Sequence, residues 1–177
     1  IMLLHGNTAS GRWFTQLEPP PGYMLIAPDM PGFGSSCRPG IFSIGFYGDS
    51  VLAFMDKLGI GKARLLLGHS LGGLVAAYIA SSRPESFDLL MLSNVPYLGK
   101  SQIDESYFER AGRYVTEDYL LRAALKNTAP TLRNESLLAM MFDEAMLMDP
   151  RGFTENPRLL TTTDQLGALA AFKGSIL

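Results

Sequence analysis

The sequence predicts an α/β fold, a mostly parallel sheet with helices on both faces, followed by a helical segment that covers it. Three observations carry this. Apolar runs without polar alternation recur at residues 1–4, 23–27, 63–67 and 87–92, as strands buried on both faces read. Helical apolar spacing occupies residues 44–58 and 71–82 between them, which is the alternation of a parallel sheet with crossover helices. After about Gly99 only helical patterns follow.

In chain order, Ile1-Met2-Leu3-Leu4 reads as a strand already in progress, with no turn or cap before it, so the chain is expected to begin inside a domain. His5-Gly6-Asn7-Thr8 is a glycine loop, and Ser10 to Phe14 a short helix ended by Pro19-Pro20-Pro21-Gly22. Tyr23 to Ala27 reads as a strand, and Pro28 to Ser36 as a loop rich in Gly and Pro. Ile44, Tyr47, Val51, Leu52, Phe54, Met55 and Leu58 mark a helix closed by Gly59 and Gly61. Ala63 to Leu67 is a strand, and Leu71 to Ser82 a helix whose Ala76, Ala77 and Ala80 suit close packing on a sheet. Phe87 to Leu92 is a strand ending at Ser93-Asn94.

Residues 1–98 are therefore read as sheet and residues 99–177 as a helical insert over the sheet edge, with helices near 105–114, 117–126, 135–148 and 159–172. The third holds four of the nine methionines. Two readings of it stand side by side: an adaptable pocket wall, or ordinary packing.

Composition narrows the function. With 15 basic and 17 acidic residues the net charge is −2, and no basic stripe is present, so nucleic acid is set aside as a partner. No apolar stretch is long enough for a membrane span, and none has the flanks of a signal peptide, although a leader would lie upstream of a chain that begins mid-domain. The single cysteine, Cys37, allows no internal disulfide and fits a reducing compartment, hence the expectation of a cytoplasmic protein. No His, Cys or carboxylate cluster has metal-ligand spacing, and neither a metal nor a cofactor is expected. The expected partner is a small-molecule substrate, and oligomeric state is not legible.

The chemistry concentrates where the run Leu65-Leu66-Leu67 stops at Gly68-His69-Ser70-Leu71-Gly72-Gly73 and a helix begins. A serine hydroxyl is a poor nucleophile at neutral pH, so a reactive serine needs exposure, an adjacent base and donors aimed at the developing oxyanion. A sharp strand-to-helix turn exposes it and strains its backbone, with Gly68 and Gly72 allowing close approach of strand and helix. The helix start adds a free N–H at Leu71 and a positive dipole end.

With Leu4-His5-Gly6-Asn7 after the first strand, Asp29-Met30-Pro31-Gly32-Phe33-Gly34-Ser35-Ser36 after the second and the Ser70 motif after the third, the chain resembles the α/β-hydrolase fold superfamily. It is most similar to the cap-bearing group of esterases, lactonases, cofactor-free haloperoxidases and carbon-carbon bond hydrolases. The resemblance implies Ser70 as nucleophile, the N–H groups of Asn7 and Leu71 as oxyanion hole, and His5, Gly6, Gly68, His69 and Gly72 as the residues that shape the elbow and its neighbouring loop. It places the base histidine after the last strand and the acid usually after the seventh. Neither strand is read here, so the sequence is expected to be a fragment, cut before the family's first two strands and after the cap, without base or acid and inactive by itself. The implied activity of the full-length parent is hydrolysis of a small, fairly apolar ester, lactone or related carbonyl compound. A lyase or cofactor-free haloperoxidase reaction at the same site, or a non-hydrolytic ligand-binding receptor, are the alternatives.

Other motifs carry less. Asn7 has a second functional reading as a side-chain contact to substrate and a plain one as a turn residue. His69 is expected to pack beside the elbow, and Asp29 to brace its loop. Gly32-x-Gly34 fails as a dinucleotide site because Cys37 stands at the third glycine position, and Lys62 fails as a phosphate-loop lysine because Ala63 follows it. Asn134-Glu135-Ser136 matches a glycosylation acceptor without secretory context.

Overall fold

A computed structural model describes residues 1–177. Its centre is a four-stranded parallel sheet in the order β1 (Met2–Leu4), β2 (Ala63–His69), β3 (Phe87–Ser93), β4 (Ser175–Ile176). The register sets Leu4 beside Gly68 and Gly68 beside Leu92, so the C-terminal ends of β1, β2 and β3 lie at one edge of the sheet. That edge is where ligands sit in open parallel sheets.

Helices α1 (Ile44–Lys57) and α2 (Leu71–Ser82) cover one face. Ser43 caps α1 by accepting from the Phe46 N–H at 3.0 Å. Gly59, at φ 69°, closes it, with the Ile60 N–H reaching back to Met55 O at 2.9 Å. Almost every residue of α2 is buried, because it is sandwiched between α1 and the sheet. A Cβ on Gly68 would lie 2.6 Å from the Gly73 Cα, so this glycine sets how closely β2 and α2 approach. On the opposite face the 3-10 turn Gly11–Phe14 lies near β1, and Leu65, Leu67, Leu89 and Met91 are half-buried.

Three expectations are corrected. The strand expected at Tyr23 to Ala27 is reduced to one parallel bridge, Ile26 to Met2, with Leu3 N donating to Ile26 O at 2.9 Å. It lies at the sheet edge beside β1, with Tyr23 and Met24 exposed, and Pro28 brings no N–H to extend it. The helix expected over 159–172 lies instead at α6 (Gly152–Thr162). Its start signal is Asp149-Pro150, where Asp149 accepts from Arg151 N and Gly152 N. Apolar spacing alone misses that signal, and Pro157 within the helix hides it further. Finally, a strand does follow Gly99: Ser175–Ile176 pairs with Leu89–Leu90, continued by Leu177 N donating to Leu90 O at 2.9 Å. Two residues are too few to show as an apolar run.

Between β3 and β4 lie α3 (Glu105–Gly112), α4 (Asp118–Thr128), α5 (Glu135–Leu147) and α6. Met141 and Met148 are buried in the main core, and Met146 is exposed. No helix is long and apolar enough to cross a membrane.

Candidate active site

Three residues other than glycine hold a positive φ: Thr8 at 60°, Ser70 at 53° and Asn94 at 48°. They follow β1, β2 and β3 at the same sheet edge. Side chains rarely adopt this region, and strain gathered in one place marks a functional site more often than a purely structural one.

Ser70 sits between the last residue of β2 and the first of α2. Its N–H donates to Ser93 O at 3.1 Å and its carbonyl accepts from Gly73 N at 2.9 Å, which fixes the turn from both sides. The Ser70 hydroxyl does not cap α2, leaving the oxygen free for chemistry. Leu71 opens α2, so its N–H has no acceptor within the helix. The turn is possible because backbone passes close beneath it. A Cβ on Gly72 would lie 2.5 Å from His5 O, and one on Gly6 would lie 2.9 Å from His69 Nδ1 and 3.0 Å from Ser70 Cβ.

His5 is buried and holds two loops together. Its Nε2 accepts from Met30 N at 3.1 Å, which leaves Nδ1 protonated and donating to Gly6 O at 2.9 Å. Burial pushes its pKa down to about 4, so the ring is neutral and both nitrogens are engaged. Asp29 braces the neighbouring loops, accepting from Gly11 N at 2.8 Å and Ser35 N at 2.9 Å. Asp29→Ala is expected to lower the unfolding free energy by ~2 kcal/mol, measured in urea, because two backbone donors lose a charged acceptor. Asp29→Asn should cost less, since its amide oxygen keeps one of the two bonds.

Of the residues singled out in the sequence, Asn7, Ser70 and Leu71 share one cavity of about 90 Å³. The helical segment closes it with Tyr107, Asn156, Pro157 and Leu160, and Pro96 adds the remaining wall. His69 is not brought to it. It lines a separate hollow of about 310 Å³ with His5, Leu67, Ser93 and Trp13, whose buried Nε1 has no hydrogen-bond partner. Burial lowers the His69 pKa as well. Neither histidine is placed to take a proton from Ser70, and no methionine of α5 reaches the Ser70 cavity.

The walls supplied by residues 96–160 went unread in the sequence. Asn156 meets Asn7 across 149 residues of chain, and such a contact leaves no local pattern.

Residues 1–133 match the family model described as alpha/beta hydrolase fold. The AB hydrolase superfamily protein YfhM of Bacillus subtilis is 36% identical over 103 residues, 55% of this chain and 36% of that protein. Lipase LipV of Mycobacterium tuberculosis is 32% identical over 93 residues, 52% of this chain and 35% of its own length. The chain thus spans about a third of the length of these two curated relatives. Among solved structures, the bromoperoxidase from Bacillus anthracis shares the fold with a TM-score of 0.80 at 24% identity, covering 99% of this chain and 70% of that one.

Proposed function

Because the chain belongs to the alpha/beta hydrolase fold family, we propose that Ser70 is the nucleophile of a serine hydrolase acting on a small, fairly apolar carboxylic ester, lactone or related carbonyl compound. The observation that carries this is the strained Ser70, at φ 53°, opening into one cavity with Asn7 and Leu71. Esterase or lipase names among the relatives support the same reaction class.

In this reading Ser70 Oγ attacks the substrate carbonyl, and its proton passes to a histidine outside residues 1–177. The N–H groups of Asn7 and Leu71 hold the oxyanion, each worth ~3 kcal/mol in the transition state. Asn7 N donates to no protein acceptor in the resting site, as an oxyanion donor must. The histidine returns the proton to the leaving alkoxide, and water, deprotonated by the same base, then releases the acyl group and restores Ser70. The engaged nitrogens of His5 and the separate hollow of His69 support an outside base. His5, Gly6, Gly68, His69 and Gly72 shape the elbow. Residues 1–98 are part of the hydrolase core, and α3 to α6 within residues 99–177 are its cap, with β4 returning to the core sheet. The cavity of about 90 Å³ is small, and Leu71, Pro96, Pro157 and Leu160 give it apolar walls, which supports a small, fairly apolar acyl group.

The test uses the complete protein and its Ser70→Ala variant with a fluorophosphonate probe and p-nitrophenyl esters. Labelling should fall on the Ser70 peptide of the wild type and vanish in the variant. Equal labelling in the two overturns the nucleophile assignment. Labelling of the wild type without ester turnover moves the activity to a lyase or receptor.

A further inference from the structure

Asn156 is 1% exposed, and its carboxamide faces two elements of the core at once. Its Nδ2 donates to Asn7 Oδ1 at 2.9 Å, and its Oδ1 accepts from the Tyr47 hydroxyl at 2.6 Å. Tyr47 is fully buried on α1. Burial pushes its pKa up, so the hydroxyl stays a donor. The result is a polar chain from the centre of the core, through α6, to the loop after β1.

That loop has few other restraints at Asn7. Thr8 Oγ1 donates to Asn7 O at 2.6 Å, Thr8 itself holds φ 60°, and the only hydrogen bond of the Asn7 side chain is the one to Asn156. An N–H that must point at a developing oxyanion needs its residue fixed, because a displacement of ~1 Å at a reacting centre costs ~100-fold in rate. A buried carboxamide satisfied at both ends supplies that rigidity, whereas one satisfied at a single end leaves a polar group unpaired in the interior.

We propose that Asn156 is a positioning residue: it ties α6 to the loop after β1 and aims the Asn7 N–H into the Ser70 cavity, so that seating of the helical segment and completion of the oxyanion hole are one event. The proposal rests on the serine hydrolase reading. It assigns Asn156 no contact with the reacting atoms, and its effect passes through Asn7.

The experiment compares wild type, Asn156→Leu, Asn7→Ala, the double variant and Tyr47→Phe in the complete protein, with active sites counted by fluorophosphonate so that only folded molecules are scored. Leucine keeps the forked shape of Asn156, with somewhat bulkier ends, and removes both bonds. Its kcat should fall ~100-fold with KM within about threefold of wild type. Asn7→Ala keeps the backbone N–H and should fall similarly, and the double variant should fall no further, since both act through one residue. Tyr47→Phe, which leaves the Asn7 bond intact, should fall less. Amide-nitrogen relaxation of residues 5–8 should show their order reduced in Asn156→Leu while β2 is unchanged. Additive losses in the double variant, a loss confined to KM, or unchanged order in residues 5–8 overturns the proposal. A wild type that is unlabelled at Ser70 sinks the hydrolase reading instead, and the relaxation measurement then still decides whether Asn156 fixes the loop.

Discussion

Ser70→Ala in the complete protein is expected to lower ester turnover on the order of 10⁶-fold, the loss seen when the serine of a comparable triad is removed from a well-studied serine protease. The hydroxyl caps nothing in α2, so its removal should leave stability near that of the wild type. Ser70→Gly is expected to lose turnover as completely and to be more stable than Ser70→Ala by ~1 kcal/mol. Alanine keeps the Cβ that makes φ 53° costly, and glycine removes that cost while giving back part of the gain in chain entropy. Steady-state kinetics and thermal unfolding of the three proteins separate the two effects. Turnover retained in Ser70→Ala removes the nucleophile. A glycine variant less stable than the alanine variant shows that the elbow stores no strain.

The elbow at Ser70 is legible in the sequence because its signal is local. A strand that stops at glycine, a serine, and a helix beginning one residue later occupy six consecutive positions, and the turn they form is dictated by contacts within those positions and beneath them. The same holds for Ser43 capping α1 and Gly59 closing it, and for Asp29 bracing Gly11 and Ser35, where loop composition already points to a carboxylate used on backbone donors. Asn156 is the opposite case. Nothing within several residues of it signals a partner, and its role exists only because α6 is laid over the loop after β1. The short strand β4 and the single bridge of Ile26 are similar, since pairing partners far away in sequence decide them. The α6 start at Asp149-Pro150 falls between. Its signal is local but is one of capping, and apolar spacing does not register it.

Acid should destabilise this chain through His5 before it does so through the carboxylates. The folded-state pKa of His5 is pushed down to about 4 by burial, against an ordinary value near 6.5. Below pH ~6.5 the unfolded chain takes up a proton that the folded chain refuses until about pH 4, so the unfolded state gains relative to the folded one as pH falls through that window. The stability is present in full above pH ~6.5, and roughly 3 kcal/mol of it is lost on reaching pH ~4. Around the ring, the charges of Asp29 and Glu144 favour protonation and His69 opposes it, all by less than burial does. His69, also lowered by burial, adds a loss of the same sign, and Asp149, held low by Arg151, contributes only in stronger acid. The His5 share is therefore read as a difference: urea unfolding at pH 7 and pH 4.5 for the wild type and for His5→Gln, whose amide oxygen keeps an acceptor for Met30 N. The variant should begin less stable at pH 7 and show a shallower loss towards pH 4.5. Parallel curves for the two proteins exclude His5 as the source of the acid sensitivity. Where the loss is seen, its local consequence follows from the geometry. A protonated Nε2 no longer accepts from Met30 N, and the loops carrying Asp29 and Asn7 lose the ring that joins them.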